Sequence, residues 1–417
     1  MKKSLIFLTV TVLLNIMIWI TSRLSVSFSE WYAANVYPFF VNAVACVFGI
    51  FPFSAAEILL MALIAATIAG AVFLVVKLVK SKGKRGRVLL KTTVYVSCAA
   101  SVALLVFLLN CGINYNREPF LRGEGYEFSE YTRVQMWTVY LTALDEFCEI
   151  IPLVSVDESG GFALTGDLNK TAPAALRAAA EKYPRLDVYY PRPKPVLNSG
   201  LMSDARIIGI FSPFTIEANY NGIVPDSQKP AAVCHELAHL AGFMKEEEAN
   251  FIAFVACRES GEPDFMYSGY LKLLDYMAWD VPPMDGYFYD SLPDYTRGLL
   301  ERHITRLDSE TRADFEEYGY LNAYALLPEQ AAEDLRRQNE FWWWRSREIV
   351  YEVGEDGEVV EVITSNPLSE FIGDISGDIN DGYLKAQGQG DGAASYRRMT
   401  DLVMAEYLKE ITERNAV

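Results

Sequence analysis

Histidine is scarce in this chain, with three among 417 residues. Cysteine is nearly as sparse. The six cysteines form no Cys-x-x-Cys pair and no even-spaced framework, which excludes a thiolate zinc ribbon and a small disulfide scaffold. Cys46, Cys98 and Cys111 lie in or near apolar runs, whereas Cys148, Cys234 and Cys257 lie beyond them. Cys234 and Cys257 fall on apolar helix faces and are expected to be small core residues. Basic charge is also short, at 37 Lys and Arg against 54 Asp and Glu. Ten of those basic residues precede Gly112, with only Glu30 and Glu57 as acids, leaving 27 basic against 52 acidic residues afterwards. So acidic a C-terminal part is a poor surface for nucleic acid or for anionic lipid. After residue 117 no long apolar run occurs, so that part reads as water-soluble.

The long apolar runs all lie in the first quarter of the chain. Residues 4–22, 58–76 and 92–112 carry no charge. Each can cross a hydrocarbon core of about 30 Å, which takes about 20 helical residues. The first run is long for a signal-peptide core, and no small-x-small site follows it, so it is read as a span. Lys77, Lys80, Lys82, Lys84, Arg85, Arg87 and Lys91 fill the loop between the second and third runs with no acid among them. Such a loop stays in the cytoplasm, as does an N-terminus carrying Lys2 and Lys3. Residues 31–56 are uncharged and aromatic but contain Pro38 and Pro52. A span there would put the two basic segments on opposite sides, so a re-entrant or interfacial segment is expected. The expected organisation is a three-helix transmembrane module over 1–116 and an extracytoplasmic domain over 117–417. The chain would be a multi-pass protein of the cell membrane with a cytoplasmic N-terminus, the lipid bilayer being one partner.

Within 117–417 the pattern predicts an α+β, mainly helical fold. Ser129 is a candidate N-cap for a helix to about Ile151, and an Ala-rich helix covers 171–183. Between Leu186 and Ala218 the runs DVYY, ARIIGIF and FTIEANY, broken by prolines, predict a small twisted sheet. Asp226 is a candidate N-cap for a helix with Pro230 in its first turn and Gly242 just past its end. Further helices are expected from about Lys245 to Gly261 and over about 262–278, 293–305, 308–317, 328–352 and 395–415. The run Phe341–Trp344 is expected to pack in the core with one indole exposed. Asp374, Asp378, Asp381 and Asp391 do not fit calcium-loop spacing and are expected to be solvated loop acids.

Two of the three histidines stand together, in His235-Glu236-Leu-Ala-His239. Positions four apart share one helix face, so both imidazoles can reach one ion, and Glu236 can reach a water beside it. A hydrolytic zinc has three protein ligands and an open position. The third histidine, His303, is far along the chain, so the acids after Gly242 are nearer sources. Glu246 is favoured and Glu248 is its competitor, because the helix register is open. Asn250, one turn after Glu246, can hydrogen-bond a ligand histidine. Glu236 is then the general base. Tyr220, His303, Tyr383 and Tyr396 are candidate donors to the developing oxyanion. Thr215, Glu217 and Asn219 lie on a run just before the histidine helix that can take an extended peptide by strand addition. An intramembrane protease is excluded, because Lys229, Lys245 and three glutamates flank the motif.

His-Glu-x-x-His followed by Glu246-Glu-Glu-Ala249-Asn250 resembles the gluzincin zinc metallopeptidases, many of which have Glu-x-x-Ala-Asp there. The resemblance implies a zincin-like domain with a small sheet, Zn²⁺ as cofactor, Glu246 as third ligand and a peptide or protein as substrate. Asn250 departs from the family's aspartate, which leaves an inactive zinc-binding sensor or scaffold as the alternative. The longer run HELAHLAGFMKEEEANFIAF, the three spans and the later Tyr383-Leu-Lys and Ser395-Tyr396 more closely resemble an uncharacterised family of bacterial membrane proteins with zincin-like ectodomains.

Overall fold

A computed structural model describes residues 1–126, 130–353, 359–387 and 398–415, with the side chains of 350–361 and 414–417 outside the description. Ser129, Asp391 and Tyr396 fall outside the described residues. The chain is mainly helical with small sheets. Among the described residues four helices are long and apolar enough to cross a membrane: Lys2–Leu24, Val26–Phe48, Ala55–Lys80 and Arg85–Asn116. We label Lys2–Leu24 α1, Ala55–Lys80 α2 and Arg85–Phe107 α3, which runs on through a π turn and a 3₁₀ turn to Asn116. A polar knot joins α1 to α3. Asn15 Nδ2 donates to the Ser101 carbonyl at 2.9 Å, and Ser101 Oγ donates to Thr11 Oγ1 at 2.9 Å. Such side-chain bonds hold helices together where no hydrophobic difference from lipid drives them.

The segment expected to be re-entrant or interfacial is a broken helix. It runs Val26–Asn35, restarts at Tyr37 with Pro38 in its first turn, widens into a π turn over Val41–Ala45 and ends at Phe48. Both of its ends are tied to the domain that follows. Glu30 pairs with Arg117 at 2.9 Å and with Arg185 at 2.8 Å. At the other end, Lys194 Nζ donates to the Phe48 carbonyl at 2.6 Å. Between them Tyr37, Val41 and Ala45 are buried in the same core as the C-terminal helices. The junction near residue 117 is therefore no packing boundary.

The C-terminal part is a stack of helices with a three-stranded sheet at one side. α4 (Arg133–Ile150) opens with a capping box on Thr132 and Gln135, and α5 (Leu168–Lys182) is capped by Asp167. The expected sheet is present but smaller, since DVYY forms no strand. It consists of β1 (Lys194–Pro195), β2 (Gly209–Ser212) and β3 (Glu217–Tyr220) in the order β1-β3-β2. Beside it lie α6 (Lys229–Leu240), α7 (Glu246–Glu259) and α8 (Pro263–Asp280). Asp226 does not cap α6. It starts a 3₁₀ turn, pairs with Lys229 at 2.6 Å and accepts from the Leu164 N–H, while Pro230 takes the first helical turn.

Three further expectations are corrected. Residues 347–352 continue no helix: α9 (Glu329–Arg345) gives way to a hairpin of β4 (Arg347–Val353) and β5 (Val359–Ser365). Runs this rich in β-branched residues suit a pleated ladder better than a helix. The acids Asp374, Asp378 and Asp381 stand on a helix, α10 (Pro367–Ala386), that the sequence reading did not foresee. The tryptophan run is not core: Trp343 and Trp344 are 43% and 49% exposed. The last helix, α11 (Met399–Asn415), packs on α4 and α7. All six cysteines are free, with Cys234 and Cys257 buried together between α6 and α7.

Candidate metal centre

α6 and α7 form an antiparallel corner. Pro230 presets the first turn of α6, and the helix stops where Gly242 adopts φ +90°, a conformation that glycine reaches without strain. The Phe243 N–H reaches back to the Ala238 carbonyl at 3.2 Å, closing the turn. The remaining carbonyls of that end are taken by distant residues. Tyr37 Oη donates to the Leu240 carbonyl at 3.0 Å, and Arg117 Nη1 donates to the Ala241 and Gly242 carbonyls at 3.3 Å each.

This turn sets Glu246, the first residue of α7, against both histidines. Its Oε2 lies 3.1 Å from His235 Nε2 and 3.6 Å from His239 Nε2. The ligand atoms of the three residues all fall within 4.8 Å of one another, and all three side chains are buried. Tetrahedral zinc with bonds of about 2.05 Å has ligand atoms about 3.3 Å apart, so the spacing suits such an ion. Glu246 Oε2 is buried and meets only the two imidazole nitrogens, a place that a cation shared by all three groups can take. Glu248 is turned away, accepting the Phe120 N–H at 2.8 Å.

Each histidine is held from behind. His239 Nδ1 is 2.8 Å from the Phe243 carbonyl, and His235 Nδ1 is 2.8 Å from Asn250 Oδ1. Lys272 of α8 donates to that same Oδ1 at 2.7 Å. Burial pulls the His235 imidazole down to about 4. It opposes charge on His239 as well, but the Glu246 carboxylate outweighs it and lifts that ring to about 9. The histidines in turn hold Glu246 well below the usual carboxylate range despite its burial. Burial raises Glu236 to about 8 and lowers Lys272 to about 8.

Glu236 points under β2. A Cβ on Gly209 would stand 2.5 Å from Glu236 Oε1, so only glycine leaves room there, and the Phe211 N–H faces the carboxylate. The strand beside this glutamate is thus β2. Thr215 lies in the turn between β2 and β3, and Glu217 and Asn219 lie on β3, the central strand, which is paired on both sides, so none of the three is on a free edge. Their side chains are buried, with Glu217 accepting the Ala55 and Ala56 N–H groups at the start of α2.

Among the described candidate donors, Tyr383 is the one brought close. It lies near enough to Glu246 for that charge to oppose its ionisation, in addition to burial. Its hydroxyl accepts from Tyr115 at 3.1 Å, beside Cys111, Phe107, Met244 and Phe211. Tyr220 donates to Asn169 at 3.3 Å. His303 is paired with Asp145 at 2.7 Å, in a contact between the Asp294–Ile304 helix and α4. Sequence reasoning missed Lys272, Arg117, Tyr37 and Gly209, none of which carries a local signal. No curated protein and no solved structure matches the chain. Residues 32–404 match the family described as "Protein of unknown function (DUF3810)", and the chain belongs to that family.

Proposed function

We propose that the protein is a membrane-anchored, zinc-dependent peptidase with a zincin-like C-terminal domain, in the manner of the gluzincins. The observation that carries this reading is the buried triad of His235, His239 and Glu246, with Glu246 Oε2 lying between the two imidazoles and Glu236 adjoining. His235, His239 and Glu246 would hold Zn²⁺, which when bound would supply Lewis acidity toward a water and a carbonyl. Glu236 takes the proton from the attacking water and passes it to the leaving nitrogen. Glu236 acts here as the carboxylate, a form that burial alone resists and that a cation held by the triad would favour. Tyr383 donates to the oxyanion. β2, an edge of the sheet with Ile210 exposed, receives an extended peptide by strand addition.

The domain lies outside the cytoplasm, with Met1 and the basic loop 77–91 inside. Supporting this, the end of α1, the start of α2 and the end of α3 all meet the domain. Arg23 donates to the Ala386 carbonyl, Glu57 accepts from Leu197 and Asn198, and Asn110 donates to the Pro213 carbonyl. The basic loop joins the opposite ends of α2 and α3. Val26–Phe48, with both ends bound to the same domain, rests at the interface as a broken helix.

The test uses full-length protein in lipid vesicles with Zn²⁺ and a peptide library, reading new termini by mass spectrometry. Wild type is expected to produce termini that a chelator abolishes. Glu236→Gln is expected to lose at least about 100-fold of that rate, the usual scale of general base catalysis, while binding one zinc. Equal cleavage by both proteins would leave a zinc-binding scaffold instead, and absence of zinc from wild type would remove the metal reading altogether.

A further inference from the structure

We propose that Lys272 is a positioning residue that fixes the tautomer of His235 by fixing the orientation of the Asn250 amide. This rests on the metal-site reading above and adds a residue that the motif does not contain.

An ammonium group has three donors and no acceptor. The Asn250 atom 2.7 Å from Lys272 Nζ must therefore be the carbonyl oxygen, Oδ1. That oxygen is also 2.8 Å from His235 Nδ1. An oxygen that only accepts requires a hydrogen on Nδ1. A neutral imidazole with Nδ1–H carries its lone pair on Nε2, the atom turned toward Glu246. Only in this tautomer can His235 bind a cation there.

His239 needs no such help. Its Nδ1 faces the Phe243 backbone carbonyl, which cannot be inverted. A carboxylate at position 250 would need none either, since both its oxygens accept. An asparagine differs: a half-turn of its amide would present Nδ2–H to His235, make Nδ1 the acceptor and put the hydrogen on Nε2. Lys272 disfavours that half-turn, because Nδ2–H would then face an ammonium. Asn250 and Lys272 together thus do the work of one carboxylate.

The test uses full-length, metal-free protein labelled with ¹⁵N-histidine, in which only three rings report. Long-range ¹H–¹⁵N correlations identify the protonated nitrogen of each. At pH 7, wild type is expected to carry its hydrogen on Nδ1 alone at His235 and to be protonated on both nitrogens at His239, whose ring the Glu246 carboxylate keeps charged. In Lys272→Met, His235 should shift to Nε2–H, His239 should stay unchanged as a control for folding, and zinc affinity should fall 10- to 100-fold. The double variant Lys272→Met with Asn250→Asp should restore both the tautomer and the affinity. Lys272→Ala gives a second test of the same shift should the methionine not pack. An unchanged His235 tautomer in the folded single variant, or no restoration in the double variant, overturns the proposal. A tautomer that responds as stated in a protein that binds no zinc overturns the metal reading alone.

Discussion

Gly209 shows how far Glu236, the proposed general base, depends on a residue outside its motif. The space that Gly209 leaves under β2 is filled by the Glu236 carboxyl group. Gly209→Ala is therefore expected to displace Glu236 and cut turnover by one to two orders of magnitude, on the scale of a misplaced proton-transfer group. Zinc content should stay at the wild-type level, because His235, His239 and Glu246 are untouched. Turnover within twofold of wild type would show that Glu236 has another place to go. Local spacing explains what could be read in advance at this scale. His235 and His239 lie one turn apart, Gly242 closes the helix, and Glu246 follows within the same corner. Lys272, Arg117 and Tyr37 reach the site only through tertiary packing, so nothing near the motif announces them.

Elements were legible where their signal was periodic and their ends were marked. α6, α7 and α8 follow the expected boundaries closely, because Pro230, Gly242 and Pro263 punctuate them. Pairing was less legible: Glu217 and Asn219 sit on a strand as expected, with Thr215 in the turn before it, but one run cannot show whether it has one neighbour or two. The last helix, α11, is held by a buried carboxylate. Glu406 has no exposed surface and meets Lys182 of α5 and Arg258 of α7, the latter at 3.0 Å. Burial opposes its charge, but the Lys182 contact and its neighbours lower it to about 2. A carboxyl held below its unfolded value stabilises the fold above about pH 4.5 and loses that contribution as the pH falls toward 2. Glu406→Gln is expected to cost roughly 3 kcal/mol at neutral pH, since it leaves two cations short of a partner. Denaturant titrations at pH 7 and pH 3 check this, and the gap between variant and wild type should narrow at pH 3. A gap that widens in acid would reverse the sign.

Across the whole molecule, a division at residue 116 was the natural sequence reading, because hydropathy changes there. The structure carries one apolar core through that point, from Tyr37 and Ile113 to Phe243 and Tyr407. Hydropathy reports where lipid ends and is silent on which surfaces meet beyond it. Residues 117–417 expressed alone would lack Tyr37, Glu30, Cys111 and Tyr115. We expect that fragment to bind zinc at least tenfold more weakly than the full chain, by competition with a chelating dye. Adding the juxtamembrane residues 26–54 back as a fused segment should recover part of the loss. Equal affinity in fragment and full chain would show that the membrane part only anchors.

The caps on the end of α6 carry a broader consequence. Tyr37 and Arg117 hold the carbonyls just after His239, and both belong to segments that rest against the bilayer ends of α1 and α3. A change in the tilt of those helices would reach the site through these two side chains, as it would through Tyr115 and Cys111 beside Tyr383. The corner between the histidines and Glu246 is thereby mechanically continuous with the candidate membrane helices, and lipid becomes a candidate effector of the proposed activity.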